Sequence, residues 1–207
     1  MREYITEKMK NTPKHFRFGN IEVEQNGPIP EGIDIDVIFR TLESHLPLHY
    51  FDELSSIKIG HLDIFDKKSV NAVYKDKTFY ITNKQSNTKD LVNDLVHEFA
   101  HHMETLFPEK IYSDRALIKE FLKKRQELKY ELQTEGYWVD EYDFKNLKFN
   151  SDFDIFLYKR VGRNMLRMVT AGSFIRPYAA VSLREYFATG FEAYYTGREE
   201  TLERISP

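Results

Sequence analysis

The segment from Leu91 to Phe107, LVNDLVHEFAHHMETLF, constrains this chain more than any other part of its sequence. Asn87 and Asp90 form an acidic capping pattern just before it, which is typical of the first turn of a helix. Apolar residues then recur at the spacing of one helix face, namely Leu91, Leu95, Phe99, Met103 and Leu106. The segment therefore predicts a long capped helix with one side in a core, and it holds three of the seven histidines.

His97 and His101 lie four residues apart, so both imidazoles project from one face of the predicted helix, one turn above the other. Two nitrogens at this spacing can bind one small ion at about 2.0–2.1 Å each. Glu98 is rotated by about 100° around the helix and is placed to reach a water on the ion. Zinc lowers the pKa of such a water to about 7, and the carboxylate can take its proton. This H-E-x-x-H motif has the mechanics of a metallopeptidase, while two histidines without a metal remain the alternative.

A catalytic zinc takes three protein ligands, and the absence of cysteine restricts the third to His, Asp or Glu. Glu104 follows His101 by three residues, but three ligands from one straight helix rarely surround an ion. Glu185 and Glu192 share a face of the last predicted helix, and only one of them can lie level with the ion. His102 points away from His101, so we expect it at the surface or behind the ligands.

Strand-like segments precede helix-like segments along the chain, which predicts the α+β class. Residues 71–83 read as two short strands that turn at Lys75-Asp76-Lys77. The second of them, KTFYITN, comes directly before the H-E-x-x-H helix. In zinc peptidases a strand in this position commonly lines the cleft and pairs with extended substrate, so we expect KTFYITN to do so.

We expect one domain over residues 1–207, with four parts. These are a flexible arm over 1–15, the sheet and active-site helix over 16–107, a helical insertion over 108–170, and a C-terminal helix with the third ligand over 171–207. The insertion reads equally as a lid, a substrate platform or a packed embellishment. Its segment NSDFD, Asn150 to Asp154, has acids at a calcium-like spacing but is more typical of a helix cap.

The formal net charge of −3 gives no basic footprint for nucleic acid, so we expect no nucleic-acid partner. No run of about 18 apolar residues indicates a membrane span, so we expect no membrane partner. The opening stretch lacks the apolar core of a secretory signal. A cytoplasmic location is the default expectation, with export by an undeclared route left open, and the oligomeric state has no sequence signature.

The last part of the chain, YAAVSLREYFATGFEAYY, forms a recognisable pattern together with HEFAH. The two stretches resemble the catalytic domain of the anthrax lethal factor group of zincins, which includes the secreted proline-proline endopeptidases of clostridia. That group has H-E-x-x-H and, far downstream, a Tyr, six residues, a Glu, two aromatics and an Ala. Here the downstream positions are Tyr178, Glu185, Tyr186, Phe187 and Ala188.

The resemblance implies a zincin-like fold and a role for each matching residue. His97, His101 and Glu185 would hold Zn²⁺, Glu98 would be the general base, and Tyr178 would donate its hydroxyl to the oxyanion. A phenol aimed at a carbonyl that develops negative charge is also the kind of donor that catalysis favours. The resemblance therefore predicts a zinc endopeptidase acting on a peptide or protein substrate.

The chain departs from the group in three respects. Thr189 stands where the group has a second acid, four residues after the ligand Glu, so the hydrogen bonding around Glu185 must differ. The gap between His101 and Glu185 is longer than usual, and toxin-delivery segments are missing. The alternative function is a zincin-shaped protein that binds or regulates peptides without turnover.

Overall fold

The computed structural model describes residues 13–60, 65, 71–84 and 87–206. It is a mixed α+β structure with a five-stranded mixed sheet, which confirms the predicted class. The chain forms two compact units, one ending at Met103 and the other beginning at Glu104. None of the helices among these residues combines the length and the hydropathy needed to cross a bilayer.

The first unit is built on a sheet with the strand order β1-β2-β3-β5-β4. Pairing is antiparallel for β1 with β2 and for β4 with β5, and parallel for β2 with β3 and for β3 with β5. The strands are β1 Lys14–Phe18, β2 Ile21–Asn26, β3 Ser56–Gly60, β4 Ala72–Lys75 and β5 Thr78–Ile81. The two edges of this sheet are therefore β1 and β4.

Strands β4 and β5 form the predicted hairpin, with Asp76 and Lys77 at its turn. Both turn residues have positive φ, 50° and 59°, as a tight two-residue hairpin requires. One expectation was wrong, because β5, the strand just before the H-E-x-x-H helix, is paired on both sides and lies inside the sheet. The hairpin folds β4 back along β5, so β4 is the edge strand on that side.

The flexible arm predicted over residues 1–15 is wrong at Lys14 and His15. Residues 1–12 lie outside the described part of the chain, while Lys14 and His15 belong to β1 and pair with Gln25 and Glu24. Main-chain hydrogen bonding to β2 is the physical reason that these two residues are part of the sheet.

Two long helices accompany the sheet, α1 Ile35–His45 and α2 Thr88–Leu106. The predicted cap of α2 is confirmed, because the N–H of Asp90 donates to Asn87 Oδ1 at 2.9 Å. Phe99 of α2 packs on the ring of Phe51 at 4.6 Å between centroids and lies 6.3 Å from Phe79 of β5. These aromatic contacts anchor one side of α2 to the core of the first unit.

The second unit is helical, as predicted for most of its length. Its helices are α3 Pro108–Tyr112, α4 Ala116–Thr134, α5 Ser151–Ile155, a π-helix Phe156–Val161, α6 Arg163–Thr170, α7 Leu183–Tyr195 and α8 Glu199–Ile205. Asn150 caps α5 by accepting from the N–H of Phe153, so NSDFD begins a helix as expected. The buried core of this unit includes Phe121, Leu128, Phe153, Leu157, Leu166 and Tyr186.

Candidate metal centre

Helix α2 presents His97 and His101 one turn apart, with ring centroids separated by 5.0 Å and the rings perpendicular. His101 is buried and His97 is half-buried. The neighbouring residues Phe99, Ala100 and Met103 are buried apolar side chains. Their burial fixes how α2 is rotated, and the helical period then determines where the two imidazoles point.

Glu185 belongs to the first turn of α7, which begins at Leu183. The side chain of Ser182 caps this helix by accepting from the N–H of Glu185 at 3.3 Å. The cap sets where the helix starts and so determines the level of the Glu185 carboxylate along it.

His97, His101 and Glu185 form the group that could hold a metal ion among the residues the structure describes. Each offers one ligand atom, and the three atoms all lie within 4.8 Å of one another. A tetrahedral ion with ligands at about 2.0–2.1 Å holds them roughly 3.4 Å apart, so three atoms that lie within 4.8 Å of one another are close to the spacing that one ion needs. Two imidazoles and a carboxylate are also the donor set of many catalytic zinc sites, so these residues fit zinc.

Glu192, the other candidate ligand on α7, is engaged in ion pairs instead. Its side chain is 0% exposed and is paired with two arginines, Arg176 and, at 2.6 Å, Arg198. Glu104 of α2 accepts from the hydroxyl of Tyr112 at 2.5 Å and lies 3.6 Å from Arg184. Both carboxylates are thus engaged in contacts with charged or polar side chains, and neither belongs to the metal group.

Glu98 has a defined partner on the sheet. The main-chain N–H of Tyr74, in β4, donates to Glu98 Oε2 at 2.6 Å. Lys75 pairs with Thr78 next to the hairpin turn, and alternate residues of an antiparallel strand direct their N–H groups away from the partner strand. Tyr74 is such a residue, so the edge strand itself orients one oxygen of the Glu98 carboxylate.

His102, also in α2, contacts the side chain of Tyr74 in β4. It is fully buried, so of the two positions expected for it, at the surface or behind the ligands, the surface position is wrong, because the turn of α2 directs it into the core. Its Nε2 lies 3.2 Å from the carbonyl oxygen of Tyr50, and its Nδ1 lies 3.0 Å from the hydroxyl of Tyr74. A carbonyl only accepts, so Nε2 carries the proton and Nδ1 accepts from Tyr74. Burial lowers the pKa of His102, which keeps the ring neutral.

Replacing His102 with glutamine is expected to lower the free energy of unfolding by about 1–3 kcal/mol at pH 8, because one amide cannot reach both partners. The folded-state pKa of His102 lies below its unfolded value of about 6.5, so its contribution is complete above that pH and is lost as the pH falls. The gap between parent and variant should therefore shrink between pH 8 and pH 5.5. Urea unfolding with a chelator present measures both values.

The exposed His49 supplies the control for this experiment. His49→Gln should follow the parent within about 0.5 kcal/mol at both pH values, as surface changes usually do. A His102→Gln variant as stable as the parent at pH 8, or a gap that widens at low pH, would contradict the assigned hydrogen bonds.

Tyr178 lies in a short 3₁₀ helix, Pro177–Ala180, and is 39% exposed. Its ring centroid is 6.1 Å from that of Tyr158, in the π-helix. The pKa of Tyr158 is raised to about 12, first by burial and then by the negative charges of Asp154 and Glu185. Tyr158 therefore lies close to both the predicted oxyanion donor and the predicted ligand Glu185.

A second carboxylate, Asp154, faces Glu185. Burial raises the pKa of Asp154, and the charge of Glu185 raises it further. Asp154 Oδ1 is buried and has no hydrogen-bond partner among the described residues. Thr189, which stands at the position of the second acid in the lethal factor group, is buried. An acid near Glu185 is thus supplied from another part of the chain, α5.

Sequence reasoning missed Asp154, Tyr158 and Tyr74. Tyr158 is one of 13 tyrosines, and its sequence neighbours carry no motif. Asp154 was read as part of a helix cap, with a calcium-like spacing of acids as the weaker reading, and was not linked to Glu185. The main-chain role of Tyr74 has no sequence signal, since any residue except proline supplies an N–H.

The chain was compared with protein-family models, with curated proteins and with solved structures, and none of them matches it.

Proposed function

We propose that this protein is a zinc-dependent endopeptidase, in which His97, His101 and Glu185 hold the metal. The observation that carries the proposal is the grouping of one ligand atom from each of these residues within 4.8 Å. The spacing of H-E-x-x-H selected His97 and His101 from the sequence, and the resemblance to the lethal factor group selected Glu185. A zincin-like fold is part of the proposal, and the mixed sheet with an antiparallel edge strand supports it.

Zinc in such a site supplies a Lewis acid that polarises the substrate carbonyl and makes a nearby water acidic at neutral pH. Glu98 takes the proton of the attacking water as general base and later delivers a proton to the leaving amine. The Tyr74 N–H holds Glu98 Oε2, so we assign the proton transfer to Oε1. The hydrogen bond thus fixes the carboxylate without occupying both oxygens.

Tyr178 is the proposed donor to the oxygen of the carbonyl under attack. Its partial exposure keeps the hydroxyl within reach of a substrate, and the contact with Tyr158 restricts how its ring can move. A preorganised donor of this kind is strongest where charge develops in the transition state.

We propose the outer edge of β4 as the place where an extended peptide binds. Its inner edge is paired with β5, so added strand pairing is confined to the outer side. The N–H of Tyr74 points to that side and is bonded to Glu98. A substrate strand on this edge would therefore lie next to the general base.

Metal content and cleavage test this function together. Protein purified without added metal is expected to contain about one zinc per chain, and it should cleave members of a random peptide library. A chelator should stop the cleavage, and added zinc should restore it. Zinc-free protein that cleaves peptides, or zinc-loaded protein that binds peptides but leaves all of them intact, would overturn the proposal; the second result would favour a peptide-binding protein.

A further inference from the structure

Arg125, in helix α4, is a buried cation whose contacts are unusual. It is 1% exposed and is among the largest fully buried side chains of the described residues. Its Nη1 donates to the carbonyl oxygens of Ala180 at 2.7 Å and Val181 at 3.3 Å, and its Nη2 donates to the carbonyl oxygen of Asp143 at 3.2 Å. The guanidinium also lies 4.0 Å from the ring centroid of Phe153.

Burying the charge of Arg125 costs free energy that an apolar residue filling the same space would not cost. Burying a charge is far less favourable than burying an apolar group unless its N–H groups are bonded. Arg125 bonds to main-chain carbonyls, and burial lowers its pKa to about 10. A methionine or leucine would pack here at lower cost, so the guanidinium points to a task that needs its planar fork.

The carbonyls that Arg125 binds belong to the segment that carries two of the proposed functional residues. We name residues 177–185 the catalytic segment, because Tyr178 is near its start and Glu185 is at its end. Ala180 and Val181 lie in its middle, between the 3₁₀ helix and the cap of α7. Tyr178 is two residues before Ala180, and Glu185 is four residues after Val181.

One other contact holds the same segment at another point. The N–H of Leu183 donates to the carbonyl oxygen of Leu147 at 2.9 Å. The pair of Arg176 with the buried Glu192 lies just before the segment and is not one of its contacts. Arg125 is the contact at the centre, and it bonds to two successive carbonyls in a way that a single hydrogen bond cannot reproduce.

We propose that Arg125 is a positioning residue, which fixes the catalytic segment so that Tyr178 and Glu185 keep their places. The inference rests on the proposed function. It also assigns a role to the helical insertion at 108–170, since α4 is a scaffold for the catalytic segment. Displacing reacting groups by about 1 Å is enough to lower a rate by about 100-fold, so a scaffold of this kind has a large effect on catalysis.

The test compares Arg125→Met, which removes the charge, with Arg125→Lys, which keeps the charge but not the fork. Arg125→Met is expected to lower kcat by about 10- to 100-fold with KM changed less than about 3-fold. The kcat of Arg125→Lys should fall between that of Arg125→Met and that of the parent. If Arg125→Met fails to fold, Arg125→Lys carries the test alone.

Lys124, the adjacent residue in α4, supplies a matched control. It is a buried cation as well, but it donates to the hydroxyl of Tyr186 and the carbonyl oxygen of Ile205, outside the catalytic segment. Lys124→Met should lower the melting temperature while kcat of the folded protein stays within about 2-fold of the parent. A purely structural role of Arg125 would make the two variants behave alike.

A double substitution separates positioning from independent damage. In the Tyr178→Phe background, and with enough zinc to fill the site, Arg125→Met should reduce kcat by less than about 3-fold, because the hydroxyl that it positions is already gone. Zinc affinity, measured by competition with a chromophoric chelator, should fall about 10-fold in Arg125→Met, since Glu185 is also displaced. In the Glu185→Ala background the same change should have no further effect on zinc affinity.

The possible outcomes distinguish a failure of the positioning role from a failure of the proposed function. If the parent cleaves peptides and binds zinc while Arg125→Met retains its kcat and its zinc affinity, the positioning role is overturned and the proposed function stands. If the kcat losses of Tyr178→Phe and Arg125→Met multiply in the double variant, the positioning role is overturned in the same way. A parent that binds no zinc and cleaves nothing overturns both the proposed function and the positioning role. If the parent binds zinc but cleaves nothing, and Arg125→Met still weakens zinc binding, the positioning role is retained for Glu185 alone.

Discussion

Replacing Glu98 with glutamine is expected to abolish peptide cleavage while zinc stays bound. Glutamine has nearly the same shape, and its carbonyl oxygen can still accept the hydrogen bond that the Tyr74 N–H donates. An amide cannot take a proton from the attacking water, however, so kcat should fall by at least about 10²–10⁴-fold. Steady-state cleavage of a library-derived peptide, together with zinc analysis of the same sample, measures both properties.

Glu104→Gln is the matched control, because it makes the same change on the same helix. Glu104 accepts from Tyr112 and is not part of the metal group, so its variant should keep both zinc and most of the activity. A Glu98→Gln variant that cleaves peptides at the rate of the parent would remove Glu98 from the role of general base. Loss of zinc in that variant would instead make Glu98 a ligand.

Replacing Glu185 with alanine is expected to weaken zinc binding by at least about 100-fold. Loss of a residue that only supports a ligand already costs about 10- to 100-fold, and Glu185 is proposed to bind the metal directly. Cleavage should fall with the zinc occupancy, and excess zinc should restore part of it. Competition with a chromophoric chelator gives the affinity.

Glu192→Ala is the comparison that makes the Glu185 result specific. Both residues belong to α7, but Glu192 is paired with Arg176 and Arg198 inside the second unit. Its removal should lower the free energy of unfolding by about 1–3 kcal/mol, because two arginines lose their partner, and should leave zinc affinity near that of the parent. The opposite pattern, with Glu192→Ala losing zinc and Glu185→Ala retaining it, would mean that the third ligand is wrong.

The parts of the fold that the sequence predicted are those set by local spacing. Helix α2, its cap at Asn87 and Asp90, and the relation of His97 to His101 all follow from the helical period over a few residues. The hairpin at Asp76 and Lys77 is equally local. Each of these features is determined by neighbours within one or two turns of chain.

The parts that could not be predicted depend on residues far apart along the chain. Arg125 and Ala180 are 55 residues apart, and Tyr74 and Glu98 are 24 apart, without any shared pattern. Strand β5 looked like an edge strand because its neighbour in sequence is the H-E-x-x-H helix, whereas its sheet neighbours are β3 and β4. Sheet order and buried polar pairing are tertiary properties, and a periodic pattern carries no information on them.

The proposed third ligand, Glu185, could be predicted only in part from the sequence. Periodicity placed Glu185 and Glu192 on one helix face and left both open, and the resemblance selected Glu185. In the structure two partly exposed arginines pair with the buried Glu192, and the group of His97, His101 and Glu185 remains. The arginines that engage Glu192 are at positions 176 and 198, and no local motif links them to it.

The most direct measurement is anomalous X-ray diffraction at the zinc edge from crystals of the zinc-loaded protein. We predict a single peak bonded to one imidazole nitrogen each of His97 and His101 and to a carboxylate oxygen of Glu185, at about 2.0–2.2 Å, with one position open to solvent. A peak held by other residues, or a Glu185 carboxylate turned away from it while another acid binds the metal, would contradict the account.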